Sequence, residues 1–195
     1  MAVSESSARN QALRDPDVRL MLEVRDDNAA ALEELMLRYQ GRLVTVLEQL
    51  VGNRDQAEDL AQEVFLRVWK VAPDWREGEA KVETWMHRVA LNLCYDRLRR
   101  RREVSDPEAG LDSVDPAASA PDGILARQRA AAVRSALDSL PERQRAAIVL
   151  CHFQELSNID AARALDVSVE ALESLLARGR RALKAALAAR AGDLM

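Results

Sequence analysis

The side chains with types and spacing suited to chemistry fall in separate parts of the chain. Glu58, Asp59 and Glu63 share one stretch of helical period, and paired carboxylates can carry protons or hold a hard cation. On a solvated helix face the same groups instead form a charged row that orients a basic partner and speeds its approach. No His lies near them in sequence, no Gly-rich phosphate loop occurs, and neither G-x-S-x-G nor H-E-x-x-H is present. Docking is therefore the expected use, and the chain is not expected to be an enzyme. A second group is aromatic and cationic: Trp75, Trp85, Asn92 and Tyr95 lead into Arg97 and the run Arg99 to Arg102. Rings stack on unpaired bases while guanidinium groups meet phosphates. Trp85 lies on an apolar stripe and has core packing as its rival role, whereas Trp75 stands in a polar stretch and is expected to be exposed. The arginine run reads as uncompensated by acids one helical turn away. A third group, Ser168, Glu170, Ala171, Ser174 and Arg178, opens a helical pattern where a recognition helix would face base edges. Glu accepts from cytosine and Arg donates to guanine or phosphate, although a plain helical hairpin with a basic tail has the same pattern. Cys94 and Cys151 are too few for a disulfide framework or a Cys-rich zinc site, and with only two histidines no metal or other cofactor is expected.

Positioning these groups falls to helices. The 195 residues are 48% hydrophobic and 31% charged but only 4% aromatic, with seven Gly, a composition that favours helix over strand. After Asp26, Asp27 and Asn28, which offer capping oxygens, Leu32, Leu35, Met36, Tyr39, Leu43, Val46, Leu47 and Leu50 recur at helical steps to Gly52. Asn53 and Gln56 form a capping-box pattern before the stripe Ala57, Leu60, Ala61, Val64, Phe65 and Val68, which Pro73 stops. Asp74 to Lys81 reads as a loop, and Val82, Met86, Val89, Ala90 and Leu93 line a third helix running into the arginines. Net charge is -4, yet the residues from Glu103 to Gly123 are acidic without Lys or Arg and hold three of the six prolines, so they read as a flexible tether. Beyond it come a helix from Ile124 to Leu140, Pro141 in the first turn of another, and a helix-turn-helix pattern. In that pattern Ser157 and Asp160 open one helix, Asp166 takes a left-handed turn, and Ser168 caps a helix to about Ala189. The expected architecture is all-α: an N-terminal tail over 1–20, a helical bundle over 21–102, the acidic linker over 103–123, and a helix-turn-helix domain over 124–195. The polar N-terminus lacks a secretory signal and no apolar run suits a membrane span, so a cytoplasmic location without membrane insertion is expected.

The run from Asn53 to Trp69 strongly resembles region 2 of extracytoplasmic-function (ECF) sigma factors, the bacterial promoter-recognition subunits of RNA polymerase. Trp85 to Asn92 with Asp96 and Arg97 continues the likeness, and Leu140-Pro141, Leu156-Ser157 and the stretch to Leu183 are similar to region 4. The resemblance implies two small helical domains, with Asp55, Glu58, Asp59, Gln62, Glu63 and Arg67 facing the beta-prime clamp helices of core polymerase. It implies that the third helix and its preceding loop melt and hold the minus-10 element, through Trp75, Lys81, Arg88, Asn92, Tyr95, Arg97, Arg99 and Arg100. Region 4 would bind the beta flap and the minus-35 element of promoter DNA, with Ser168, Glu170, Ala171, Ser174, Arg178, Arg180 and Arg181 at the DNA. An anti-sigma factor is an implied partner. Glu173 and Leu175 stand where the family commonly has basic residues, and Asp166 replaces a common turn Gly. Two other readings remain at this stage: a helix-turn-helix regulator acting without polymerase, and a sigma-like adaptor that captures an anti-sigma factor.

Overall fold

The computed structural model describes residues 17–75, 81–104 and 121–192, and all regular structure among them is helical. The described residues open with a helix that periodicity alone does not reveal, α1 (Asp17–Arg25). Its apolar run is short, Val18, Leu20, Met21 and Val24, and all four side chains are buried against the next helix. The Asp17 carboxylate, itself buried, accepts from the Arg38 guanidinium and the Tyr39 hydroxyl. Burial disfavours the Arg38 charge, but the neighbouring Asp17 carboxylate outweighs it and raises the guanidinium pKa further. Residues 17–20 of the expected tail thus belong to this pinned helix, and 1–16 lie outside the described residues.

Helix α2 (Ala29–Val51) starts where Asn28 accepts from the Ala30 N–H at 3.1 Å and stops where Gly52 takes a left-handed φ of 75°. Helix α3 (Arg54–Val71) is capped by Asn53, whose side chain accepts from the Gln56 N–H at 2.9 Å. The stripes read from the sequence are the buried faces: Leu35, Leu43, Val46 and Leu47 of α2 meet Ala57, Leu60, Val64 and Phe65 of α3. Each large side chain so buried stabilises the bundle by about 1.5–3 kcal/mol. A single turn of 3-10 helix, Ala72–Asp74, with Pro73 inside it, ends this hairpin. Helix α4 (Val82–Val104) then closes the bundle through Val82, Met86, Ala90, Leu91 and Cys94.

Helix α5 (Pro121–Asp138) begins a little before the expected 124, and Pro141 sits at the N-cap of α6 (Glu142–Ile148) rather than in its first turn. The Pro141 carbonyl accepts from the Gln144 and Arg145 N–H groups at 2.9 and 3.0 Å. The chain widens into a π turn over Val149–Phe153 and reverses at Glu155, whose φ is 54°. Helix α7 (Asn158–Leu165) is capped by Ser157, and Asp166 takes the expected left-handed turn at φ 55° before α8 (Val169–Gly192). Leu172 and Leu176 bury the start of α8. Gly179 lets it cross α6 closely, since a Cβ there would lie 2.8 Å from Ile148 Cδ1 and 3.4 Å from the Gln144 carbonyl oxygen.

The two sets of helices do not form separate cores. Buried residues make one continuous cluster, with α7 packed along α4, and α5 and α6 against α2. Polar clasps cross the same junction. Arg145 donates to the Leu50 carbonyl at 3.1 Å, Arg134 pairs with Glu48 at 3.0 Å, and Arg102 pairs with Glu142. These partners are separated by scores of residues, so no local pattern announces them. The expected linker lies largely outside the described residues.

Candidate docking face and nucleic-acid interface

On α3 the acidic row faces outward. Asp55, Asp59, Gln62 and Arg67 are exposed, while Glu58 and Glu63 are half-buried beneath i,i+4 pairs with Arg54 at 2.9 Å and Arg67 at 3.4 Å. Such surface pairs contribute only a few tenths of a kcal/mol, so they yield readily to a competing partner. Leu66 and Trp69 are also exposed on this helix, at 56% and 37%. Both fall outside the buried stripe, and that mismatch was the signal that marks them as part of an outward apolar patch. Among the described residues no group of three His, Cys, Asp or Glu side chains is placed to hold a metal ion.

The α4 surface differs from expectation in its pairing. Arg88, Asn92, Arg97, Arg99 and Arg100 are exposed, at steps of three and four that keep Arg88, Asn92 and Arg99 on one face. The arginine run is compensated at its two ends: Arg99 pairs with Asp96 at 3.0 Å and reaches Glu103, and Arg102 pairs with Glu142. Trp75 is half-buried against the core rather than exposed, and Trp85 is half-buried beside it. The Tyr95 hydroxyl is buried with no partner, and burial, with Cys94 adding to it, pushes its pKa up to about 12. In this arrangement it offers no polar group to a strand. Residues 76–80 of the expected loop lie outside the described residues.

Lys81 and Arg88 meet the other half of the chain. Lys81 Nζ donates to Asp160 at 2.8 Å, and Arg88 pairs with Asp166 at 3.0 Å. Asp160 also accepts from Ser157 at 2.8 Å, and Thr84 Oγ1 lies 3.4 Å away. Burial alone would raise the Asp160 pKa, but the hydrogen bonds from Lys81 and Ser157 prevail and lower it. Between these pairs lies a cleft of about 730 Å³ lined by Trp75, Thr84, Trp85, Arg88, Arg163 and Asp166, among others.

On α8, Ser168 caps the helix by accepting from the Ala171 N–H at 3.2 Å. Ser168, Glu170, Ala171, Ser174, Arg178, Arg180 and Arg181 are all exposed, so the expected DNA-side residues share one helix. Hydrogen bonds from its own backbone N–H and from Ser168 lower the Glu170 pKa and keep it an acceptor. Leu175 is half-buried against the core, which accounts for an apolar residue there, whereas Glu173 is exposed.

Comparison with known proteins gives the family of the chain. The family model "Sigma-70 region 2" matches residues 35–104 and "Sigma-70, region 4" matches residues 130–183. An acidic helix, a cationic helix and a helix-turn-helix in this order are thus those of a sigma-type transcription initiation factor. The chain is 34% identical over 180 residues to the ECF RNA polymerase sigma factor SigE of Mycolicibacterium smegmatis, covering 89% of this chain and 69% of the relative. It is 35% identical over 153 residues to SigM of Mycobacterium tuberculosis, covering 78% and 75%. Among solved structures it is similar to CnrH in complex with the cytosolic domain of CnrY, with a TM-score of 0.68, 26% identity, and coverage of 87% of this chain and 96% of the other. The sigma factor RpoE in complex with the anti-sigma factor NepR from Bartonella quintana gives a TM-score of 0.65 at 26% identity, covering 80% and 95%. The chain belongs to the ECF family of RNA polymerase sigma factors. It is a polymerase-binding subunit of transcription initiation, and the reading as a regulator independent of polymerase leaves the region 2 match without a purpose.

Proposed function

We propose that α3 is the polymerase-docking helix and that α4 and α8 divide promoter recognition between an opened strand and duplex DNA. The observation that carries this reading is the exposure of Asp55, Asp59, Gln62 and Arg67 beside Leu66 and Trp69 on one helix. Charged residues around an apolar centre are how protein interfaces are built. Lys81, Arg88, Asn92, Arg97, Arg99 and Arg100, with Trp75 at the cleft, form the strand-reading face for the minus-10 element. The α8 residues Ser168 to Arg181 meet the minus-35 element, where phosphate contacts position the helix and base contacts specify it. The helical units over 21–102 and 124–195 serve as the two working parts, and the chain itself contributes no catalytic group. An anti-sigma factor is its regulator, as for the neighbouring RpoE held by NepR. It acts in the cytoplasm with polymerase; among the described residues no helix is long and apolar enough to cross a membrane.

The test is a titration against core polymerase. Asp59→Lys with Glu63→Lys reverses the exposed row while changing surface stability by under about 0.5 kcal/mol. Core affinity should fall at least about tenfold, equivalent to 1.4 kcal/mol, with the helical circular dichroism of the parent retained. Unchanged affinity would refute the docking assignment.

A further inference from the structure

Charge is not spread evenly along α8. Its second half is cationic, with Arg178, Arg180, Arg181 and Lys184 exposed, while its opening turns carry the exposed carboxylates of Glu170 and Glu173. Glu170 has a structural reason to be acidic: it stands in the first turn, where the helix dipole favours an anion, and accepts from its own backbone N–H and from Ser168. Glu173 lies beyond that turn. The residues three and four positions away on either side are Val169, Glu170, Leu176 and Ala177, so helical spacing supplies it with a like charge and no cation. Packing does not hold it either: Leu172, Leu176 and Gly179 form the buried face of α8, and Glu173 lies outside it. On duplex DNA a carboxylate is repelled by every phosphate and complements only the amino groups on base edges, cytosine N4 and adenine N6. Adenine N6 has an acceptor on each side, its own N7 and thymine O4, whereas cytosine N4 has guanine O6 on one side only. A lone carboxylate in the major groove therefore favours cytosine.

We propose that Glu173 is a specificity-determining residue of α8: it accepts from the N4 amino group of one cytosine in the minus-35 element, while the cationic second half of the helix holds the flanking phosphates. The assignment rests on the reading of α8 as the duplex-facing helix. The polarity of the helix sets its direction in the groove. Its acidic end is driven off the backbone toward the base edges, and Arg178, about 7.5 Å further along the axis, stays within reach of phosphate. Arg178 Nε donates to the Ser174 carbonyl at 3.2 Å and Arg181 Nε to the Ala177 carbonyl at 3.4 Å, which lays both guanidinium groups along the helix surface. Guanine or thymine in place of the cytosine puts an acceptor against the carboxylate, so Glu173 selects by what it excludes as much as by what it binds.

The experiment uses the full chain bound to core RNA polymerase. The parent holoenzyme first selects from linear duplexes randomised across both promoter elements, at one fixed salt concentration. Its selected minus-10 element and spacing are then held constant while the minus-35 element is randomised again for the parent, Glu173→Gln and Glu173→Lys. The parent should prefer cytosine at a minus-35 position by at least about fivefold over any other base. Both variants should lose that preference at a single position, with Gln gaining adenine, whose N6 and N7 it meets together, and Lys gaining guanine through O6 and N7. A parent without a cytosine preference, or variants that retain it, overturns the proposal. So does a change spread equally over all positions, which is what mere removal of a repelling charge gives. Arg178→Ala then separates this failure from failure of the reading beneath it. Weaker duplex binding in Arg178→Ala leaves α8 on the minus-35 element and removes only the role of Glu173, whereas unchanged binding removes α8 from the duplex as well.

Discussion

Replacing Arg145 by Met should uncouple the two halves of the chain at a cost that follows from the geometry. The Arg145 side chain is 13% exposed. Its guanidinium donates to the Leu50 carbonyl at 3.1 Å, the Asp138 carboxylate at 3.1 Å and the Asp138 carbonyl at 2.7 Å, with the Leu140 carbonyl at 3.4 Å. Leu50 lies in the last turn of α2, where carbonyls lack helical partners and the helix dipole favours a cation. Met preserves the aliphatic stem and removes only the donors. Each of the shorter bonds has a net worth of about 1.5 kcal/mol, at the low end for charged groups because water reaches the site. Against their sum stands the buried Arg145 Nε, which has no partner; its removal returns about 1–2 kcal/mol. The net loss is about 3 kcal/mol, or a fall in Tm of roughly 6–12 °C for a chain of this length. Urea denaturation should show a lower midpoint, and Arg145→Lys, a single point donor, should recover less than half of the difference. A loss under about 0.5 kcal/mol for the Met variant would refute the idea that this guanidinium holds α6 to α2.

Other consequences are as specific. His87 is fully buried, with Nδ1 2.9 Å from the Glu83 carbonyl, and burial lowers its pKa below 6.5 despite that carbonyl. The unfolded chain therefore takes up a proton that the folded chain resists, so the His87 contribution is complete above pH 6.5 and is lost as pH falls below it. The slope approaches at most about 1.4 kcal/mol per pH unit, and His87→Gln should flatten the urea midpoint between pH 6.5 and 5. Asp160 has the ordinary carboxylate sign: its lowered pKa adds stability that is present above 3.8 and is lost as pH falls through the folded value, which acid titration of Asp160→Asn against the parent would show. Gly179→Leu should cost about 1–3 kcal/mol in thermal unfolding, because α8 would be driven off Ile148 and the Gln144 backbone.

Much of this molecule is written locally. The stripes of α2, α3 and α4, the caps at Asn28, Asn53, Ser157 and Ser168, and the left-handed turn at Asp166 follow from periodicity and side-chain oxygens within a few residues of the groups they satisfy. The exposed row on α3 was legible for the same reason, since residues off a buried stripe must face outward. Helix α1 was not, because its short apolar run gains stability only in the tertiary structure, by burial against α2 and by Asp17 reaching Arg38 and Tyr39 twenty-odd residues away. Trp75 looked free in a polar stretch and the arginines looked uncompensated, yet packing half-buries the ring and Glu142 meets Arg102 across forty residues. The sequence by itself determined the helices other than α1, their buried faces and the family to which the chain belongs. Only the tertiary structure decided that Lys81 and Arg88 hold carboxylates of the helix-turn-helix. Charge pairing between distant segments depends on where two backbones come to rest, and no spacing along one chain encodes that distance.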